Sequence, residues 1–284
     1  MRLVYVAAAF TVIVVWGFNI VVGKLGVVAL PPLLLVALRA TCVAVLMVPF
    51  LRSMPERKAL FGVIILIFGV LQFVGLFVGL TGVDGAVAAI ALQTLVPFGM
   101  ILGRIKFGER LNLLQILGLV AAFGGVVVIA GEPKVASRMG HLLLVIGGAF
   151  CMAYGSVLIK DLGPMNIFRL QGWLALGSAP LLFLASLIFE HHQVDALTHA
   201  GWTGWGAVLY TGIATTIIGH GLWAYLLQHL PVYRVMPISL LAAVAAVAFS
   251  IFLLGEPLTL NIFIGGVLTL SGVAVIQTAT VRQQ

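Results

Sequence analysis

The chain has 284 residues, of which 62% are hydrophobic and 8% charged, and its formal net charge is +7. Soluble globular proteins carry about 25% charged residues, so water is not the main solvent of this chain. About 20 apolar residues cross the hydrocarbon core of a bilayer, and roughly ten such segments with short loops use nearly the whole length, leaving no soluble domain.

Breaks in the hydropathy place the predicted membrane helices at 3–23, 32–50, 60–80, 85–103, 111–131, 141–160, 167–189, 201–226, 234–254 and 260–278. The first, after Met1-Arg2, has the outline of a signal peptide, with Ala7-Ala8-Ala9 as a small-residue site. Trp16 and Asn19 within it argue for a working span, and its removal would leave nine helices.

Cytoplasmic loops gather Lys and Arg. With the N-terminus inside, eleven bases fall inside: Arg2, Arg52, Arg57, Lys58, Arg104, Lys106, Arg110, Lys160, Arg169, Arg234 and Arg282. Three fall outside, Lys24, Lys134 and Arg138, while Arg39 lies within the second span. This split predicts both termini in the cytoplasm and an even number of crossings. The bases flank apolar spans, so the positive charge reads as a topology signal and no nucleic-acid partner is expected. Cys42 and Cys151 both lie inside apolar spans, which supports neither a disulfide framework nor a zinc site.

An internal repeat appears at an offset of 147 residues. Gly108-Glu109-Arg110-Leu111 returns as Gly255-Glu256-Pro257-Leu258, and the match continues ungapped through Leu113/Leu260, Gly118/Gly265, Val120/Val267, Gly125/Gly272, Val126/Val273, Val128/Val275 and Ile129/Ile276. That makes ten identities over 108–129. Upstream, Gly75-Leu76-Phe77 answers Gly221-Leu222-Trp223, and Lys24 and Lys160 end the first and sixth predicted spans. Five helices per copy is an odd number, so the second copy enters the membrane inverted. The expected fold is all-α, ten transmembrane helices in two inverted five-helix repeats, at 1–133 and 140–280, with a cytoplasmic tail at 281–284. Rocking one copy against the other would expose a midplane site to each side in turn.

Val15-Trp16-Gly17-Phe18-Asn19 with Lys24, Pro31-Pro32 with Arg39, Phe107-Gly108-Glu109-Arg110-Leu111 and Gly255-Glu256-Pro257-Leu258 together resemble the drug/metabolite transporter superfamily, and within it the EamA-type exporters. The resemblance covers essentially the whole chain and is nearest to the bacterial amino-acid exporters of the YddG type. It implies export across the bacterial inner membrane. Pro97 lies in the fourth span, but where relatives often carry a proline the ninth reads Ala242-Ala243-Val244, so matched kinks are not implied.

Polar groups within the spans are candidates for function, because they are costly in lipid. They are Asn19, Arg39, Gln72, Gln93, Thr94, Tyr154, Gln171, Thr215, Thr216, His220 and Tyr225, with the indole N–H groups of Trp16 and Trp223. The eight acids, Glu56, Asp84, Glu109, Glu132, Asp161, Glu190, Asp195 and Glu256, all fall in loops or at predicted helix ends. In the small multidrug-resistance relatives a glutamate eight residues before the lysine of the first helix carries the exchanged proton. Here that position is Trp16, and before Lys160 it is Met152. The resemblance is therefore to the fold without its proton carrier, which argues against cationic drugs.

Trp16, Asn19, Gln72, Gln93, Tyr154, His220 and Trp223 are the expected substrate-binding residues. Aromatic faces can meet an ammonium group, and amide and indole N–H groups can meet a carboxylate, which suits neutral or zwitterionic solutes such as amino acids. Nucleosides, sugars and other neutral metabolites are the alternative, as is proton-coupled drug efflux through His220, whose imidazole titrates near neutrality when unperturbed. Arg39 reads as tied to carbonyls or a helix end, with a substrate carboxylate as the sharper option. Lys24 and Lys160 read as cations at helix C-termini, and Glu109 and Glu256 as acids at the N-termini of the fifth and tenth helices. Gly75-x-x-x-Gly79 reads as a close helix contact. His191-His192-x-x-Asp195-x-x-x-His199 reads as a solvated loop, since its spacing fits no metal signature. No Gly-x-Ser-x-Gly, His-Glu-x-x-His or P-loop pattern occurs, so no enzyme activity and no cofactor are expected. Ten helices suffice to enclose a cavity in one chain, so a working monomer in the lipid bilayer is expected.

Overall fold

A computed structural model describes residues 3–51, 54–108 and 111–281. Arg2, Arg52, Glu109, Arg110 and Arg282, used above, lie outside the described residues. Ten helices are long and apolar enough to cross a membrane: Leu3–Ala29, Pro32–Phe50, Lys58–Leu80, Gly85–Phe107, Leu113–Ala130, Met139–Leu162, Ile167–Phe189, Gly201–His229, Arg234–Leu254 and Leu260–Thr280. Helices are the form these sequences must take in lipid, where each backbone N–H and C=O needs a partner within its own segment. The outer loop predicted around His191 and His192 is partly ordered as a short exposed helix, Gln193–His199.

The fifth and tenth spans cross antiparallel, and their contact displays the repeat as symmetry. A Cβ on Gly118 would come 2.8 Å from the Gly272 carbonyl oxygen, and Gly125 and Gly265 approach each other's carbonyl oxygens as closely. Gly118 is the repeat partner of Gly265, and Gly125 that of Gly272. Each glycine thus meets the partner of the other, as a two-fold axis requires. Thr269 Oγ1 donates to the Ala122 carbonyl oxygen at 3.3 Å, a bond joining two residues 147 apart, so the axis passes through this contact.

The other close pairs follow the same plan. Gly17 of the first span lies against Ala245 of the ninth, Gly75 of the third against Gly148 of the sixth, and Gly172 of the seventh against Met47 of the second. In each pair a small residue removes the side chain that would hold the backbones apart.

The helix ends show where sequence placed the charges on the wrong helix. Lys24 does not end the first helix, which continues to Ala29. Its Nζ donates to the carbonyl oxygens of Leu80 and Val83, both at 2.6 Å, and so caps the C-terminus of the third span. Glu256 does not cap the tenth helix. Its carboxylate accepts from the N–H groups of Gly85 and Ala86 at 2.6 and 2.9 Å, at the start of the fourth span. The expected match of charge to helix dipole holds in both cases, but the helix matched is a tertiary neighbour. The tenth helix is capped by Thr259 and the fifth by Asn112, which forms a reciprocal capping box with Gln115. Asn112 and Thr259 are repeat partners. Gly108 and Gly255, also partners, take left-handed φ values of 70° and 66° and end the fourth and ninth spans. Lys160 lies in the last turn of the sixth helix, as expected, with Nζ 4.4 Å from the Phe107 ring centroid.

Two irregularities bear on the interior. The fourth span breaks at Gln93-Thr94. Pro97 has no N–H to give the Gln93 carbonyl oxygen, which accepts instead from Val96 N–H at 3.1 Å. The ninth span is continuous through Val244, so the break is unmatched. The third and eighth spans each contain a π-helical segment, Ile65–Leu71 and Tyr210–Gly219, and these end immediately before Gln72 and His220. Such widened turns are rare and occur often at functional sites.

Candidate substrate site

Trp16 is the central residue of Leu3–Ala29. The eighth span brings its π-helical segment and His220 against it. The rings of Trp16 and His220 lie 5.3 Å apart and those of Trp16 and Trp223 5.1 Å apart, measured between centroids. This approach needs Gly219, where a Cβ would collide with the Trp16 indole nitrogen. One turn further along the first helix, Asn19 Oδ1 accepts a hydrogen bond from Thr215 Oγ1 at 2.8 Å. His220 Nδ1 lies 3.0 Å from the Thr215 carbonyl oxygen. A carbonyl can only accept, so Nδ1 carries the proton and Nε2 of the neutral ring is left as an acceptor. Four of the seven expected residues therefore form one cluster, contributed by the first half through Trp16 and Asn19 and by the second through His220 and Trp223.

The remaining three are elsewhere. Gln72 is buried against the sixth span, directly after the third span's π-helical segment, and Gly148 packs on its backbone. Gln93 stands at the break in the fourth span. Tyr154 stacks with Phe150, its centroid 6.2 Å away, and packs with the cluster of Phe61, Ile64 and Leu174. Among the described residues no hydrogen bond or ring contact joins Gln93 or Tyr154 to Trp16.

Trp16 Nε1, Gln72 Oε1 and Ser250 Oγ are buried polar atoms without a hydrogen-bond partner among the described residues. An unpaired buried group costs about 1–3 kcal/mol, a cost a bound solute or water can remove by supplying the missing bond.

Arg39, near the middle of Pro32–Met47, is 7% exposed and is the one buried charge among the described residues. Its Nε donates to the Thr211 carbonyl oxygen and its Nη2 to Thr216 Oγ1, both at 3.0 Å, and its guanidinium carbon stands 4.1 Å from the Phe73 ring centroid. Both oxygens belong to the π-helical segment that also holds His220. Sequence reading missed this segment. The three threonines at 211, 215 and 216 were its only trace, since hydroxyls spaced along one apolar helix supply bonds that regular helix geometry does not require.

A cavity of about 20 Å³ lies beside Arg39, bounded also by Phe68, Gly69, Gln171, Ser178 and Thr216. A larger cleft of about 300 Å³ separates the fourth and sixth spans, between Val96, Phe107, Ser156 and Lys160. No group of three or more His, Cys, Asp or Glu that could hold a metal ion occurs among the described residues. Between the seventh and eighth spans His199 pairs only locally, with Asp195 at 3.1 Å.

The model of the EamA-like transporter family matches the chain twice, at residues 3–131 and 139–278. A protein of Escherichia coli K12 named "Probable amino-acid metabolite efflux pump" is 33% identical over 93% of this chain and 91% of its own length. Its namesake in Salmonella typhimurium is 34% identical over the same shares. The Bacillus subtilis "Uncharacterized transporter YoaV" is 25% identical over 93% of each chain. A solved crystal structure, 21% identical, superposes over 100% of both chains with a TM-score of 0.64, a likeness of fold.

Proposed function

Because the chain belongs to the EamA-like transporter family, built from ten membrane helices in two inverted repeats, we propose that it exports small neutral or zwitterionic metabolites, amino acids with aromatic or hydrophobic side chains among them. The observation that carries this reading is the cluster of Trp16, Asn19, His220 and Trp223, half from each repeat and with no carboxylate in it. The names of the two relatives above 30% identity support the substrate class. Aromatic faces and amide groups bind a zwitterion without needing a counter-charge of their own. The halves, 1–133 and 140–280, rock against each other in a single chain, and the site between them faces each side in turn. The membrane is the bacterial inner membrane, as in the relative named "Uncharacterized inner membrane transporter YedA", with both termini and the tail 281–284 in the cytoplasm. Gln72, Gln93 and Tyr154 line the path of the solute on the side of the first repeat and the sixth span. The chain carries out no catalysis and uses no cofactor.

The test is exchange in proteoliposomes preloaded with solute, with no ion gradient, using labelled amino acids, nucleosides and sugars. The expected result is saturable exchange of neutral amino acids, reduced about tenfold or more by Trp16→Ala and by His220→Ala, since each removes contact area of the size that dominates binding sites. Exchange confined to nucleosides or sugars would overturn the substrate class. Transport that begins only after a pH step would show proton coupling instead of a simple carrier.

A further inference from the structure

We propose that Arg39 and the small cavity beside it are the subsite for the carboxylate of the transported solute. This rests on the amino-acid reading above and deepens it.

A guanidinium at mid-membrane is costly, and such residues pair with acids, with carbonyls or with a charged substrate. Arg39 has found a carbonyl, a hydroxyl and an aromatic face, with no acid among its partners in the described residues. Two of its N–H groups are used, where a guanidinium offers five in a planar fork. Arg39 also lines a cavity whose other polar walls are Gln171, Ser178 and Thr216. The hydroxyls of Ser178 and Thr216 already donate to the carbonyl oxygens of Ala175 and Thr211, so the donors left to this pocket are the Gln171 amide and a guanidinium with no acid partner, and the chemistry that suits them is a planar anion. Carboxylate and guanidinium match as a two-pronged pair. The volume of about 20 Å³ admits a group the size of one water, which is one carboxylate oxygen, so the rest of the solute lies outside it.

Its position fits the rest of the site. Both π-helical segments wall the cavity, the third span's through Phe68 and Gly69 and the eighth span's through Thr216. Arg39 and His220 are bonded to the same segment, through Thr211, Thr216 and Thr215. The Trp16 ring packs on His220, so the eighth span joins the Arg39 cavity to the Trp16 cluster within a few residues of one helix.

The experiment compares a solute with and without the carboxylate. Proteoliposomes exchanging labelled phenylalanine are challenged with unlabelled phenylalanine, phenylalaninamide, phenylacetate and chloride. Wild type is expected to favour phenylalanine over its amide by about tenfold or more and to be inhibited by phenylacetate, as a charge-assisted pair in a buried site predicts. In Arg39→Gln the acid-to-amide ratio should collapse to about one and inhibition by phenylacetate should vanish, while Arg39→Lys should retain part of the preference. Arg39 also anchors the eighth span, so Ser178→Ala and Gln171→Leu, which leave that anchor in place, serve where Arg39→Gln is not recovered folded. Each should weaken the acid more than the amide. Exchange of phenylalanine with no preference over the amide, or a preference untouched in Arg39→Gln or in both wall variants, would overturn the subsite alone. Inhibition by chloride without any such preference would mark a site for inorganic anions and overturn it equally. Failure of wild type to exchange any amino acid would remove the substrate class proposed above, and the subsite with it.

Discussion

Gly75→Val is expected to leave little folded protein in the membrane. A Cβ at Gly75 would lie 2.6 Å from the Leu144 carbonyl oxygen and 2.8 Å from Gly148 Cα. Both are backbone atoms of the sixth helix, so no rotamer change relieves the clash and the helices must separate. Gly148 reciprocates, 2.9 Å from the Gln72 carbonyl oxygen. Overpacking of this kind costs about 3 kcal/mol, a large share of a total stability of about 5–15 kcal/mol. Separation would also shift Gln72, one turn away on the same helix, so what survives should transport poorly. Gly99→Ala and Gly147→Ala are the controls, because a Cβ there meets nothing within 4 Å. They should stay within about 1 kcal/mol of wild type, alanine being the better helix former. Thermal unfolding of the purified variants in detergent measures all three. A Gly75→Val protein as stable as Gly99→Ala would show that the third and sixth helices pack by some other contact.

The contrast between these glycines marks how far sequence carries. The repeat at an offset of 147 was legible, but the crossing of the fifth and tenth helices was not read from it, although Gly118, Gly125, Gly265 and Gly272, which make that contact, are repeat partners. Helix number and order were legible too, since each span is a separate apolar run. The partners of the helix ends were not. Lys24 and Glu256 were read correctly as capping charges, yet the groups they cap are 56 and 171 residues away, and nothing local encodes such distances. The π-helical segments were invisible for a related reason. Ile65–Leu71 is as apolar as the turns around it, so no residue type marks the extra width. At the candidate site, sequence supplied the residue types and the structure supplied their grouping. Trp16, Asn19, His220 and Trp223 came together, while Gln93 and Tyr154 stand apart because the fourth and sixth helices pair with each other.

Glu256→Ala is expected to release the end of the molecule at which the second and fourth spans start, the outer end in the orientation proposed above. Glu256 belongs to the second repeat, and the two N–H groups it accepts from, Gly85 and Ala86, belong to the first. Glu190 does the same for Leu33 and Leu34, at 2.7 and 3.0 Å, so two carboxylates of one repeat hold two helix N-termini of the other at the same end. The tip at 81–84 is further held by Lys24 and by the Lys134–Asp84 pair at 2.7 Å. In the rocking proposed above, opening this end has to break the Glu190 and Glu256 bonds, while those of Lys24 stay within the first half and that of Lys134 ties the first half to the linker after it. A capping bond of this kind is worth about 1–2 kcal/mol, and losing it from the closed form alone shifts the open-to-closed ratio by about five- to thirtyfold. Ser250, 0% exposed and beside Gly85, reports the change. With Cys42 and Cys151 replaced by alanine, Ser250→Cys should react with an impermeant thiol reagent applied from outside several-fold faster in Glu256→Ala than in the parent, and faster again with Glu190→Ala. Glu256→Gln, which keeps one acceptor oxygen but loses the charge at the helix end, should fall between. Equal labelling in all four proteins would mean that these carboxylates hold the helices without holding the gate, and the closing contact would then have to be sought at the Trp16 and His220 cluster itself.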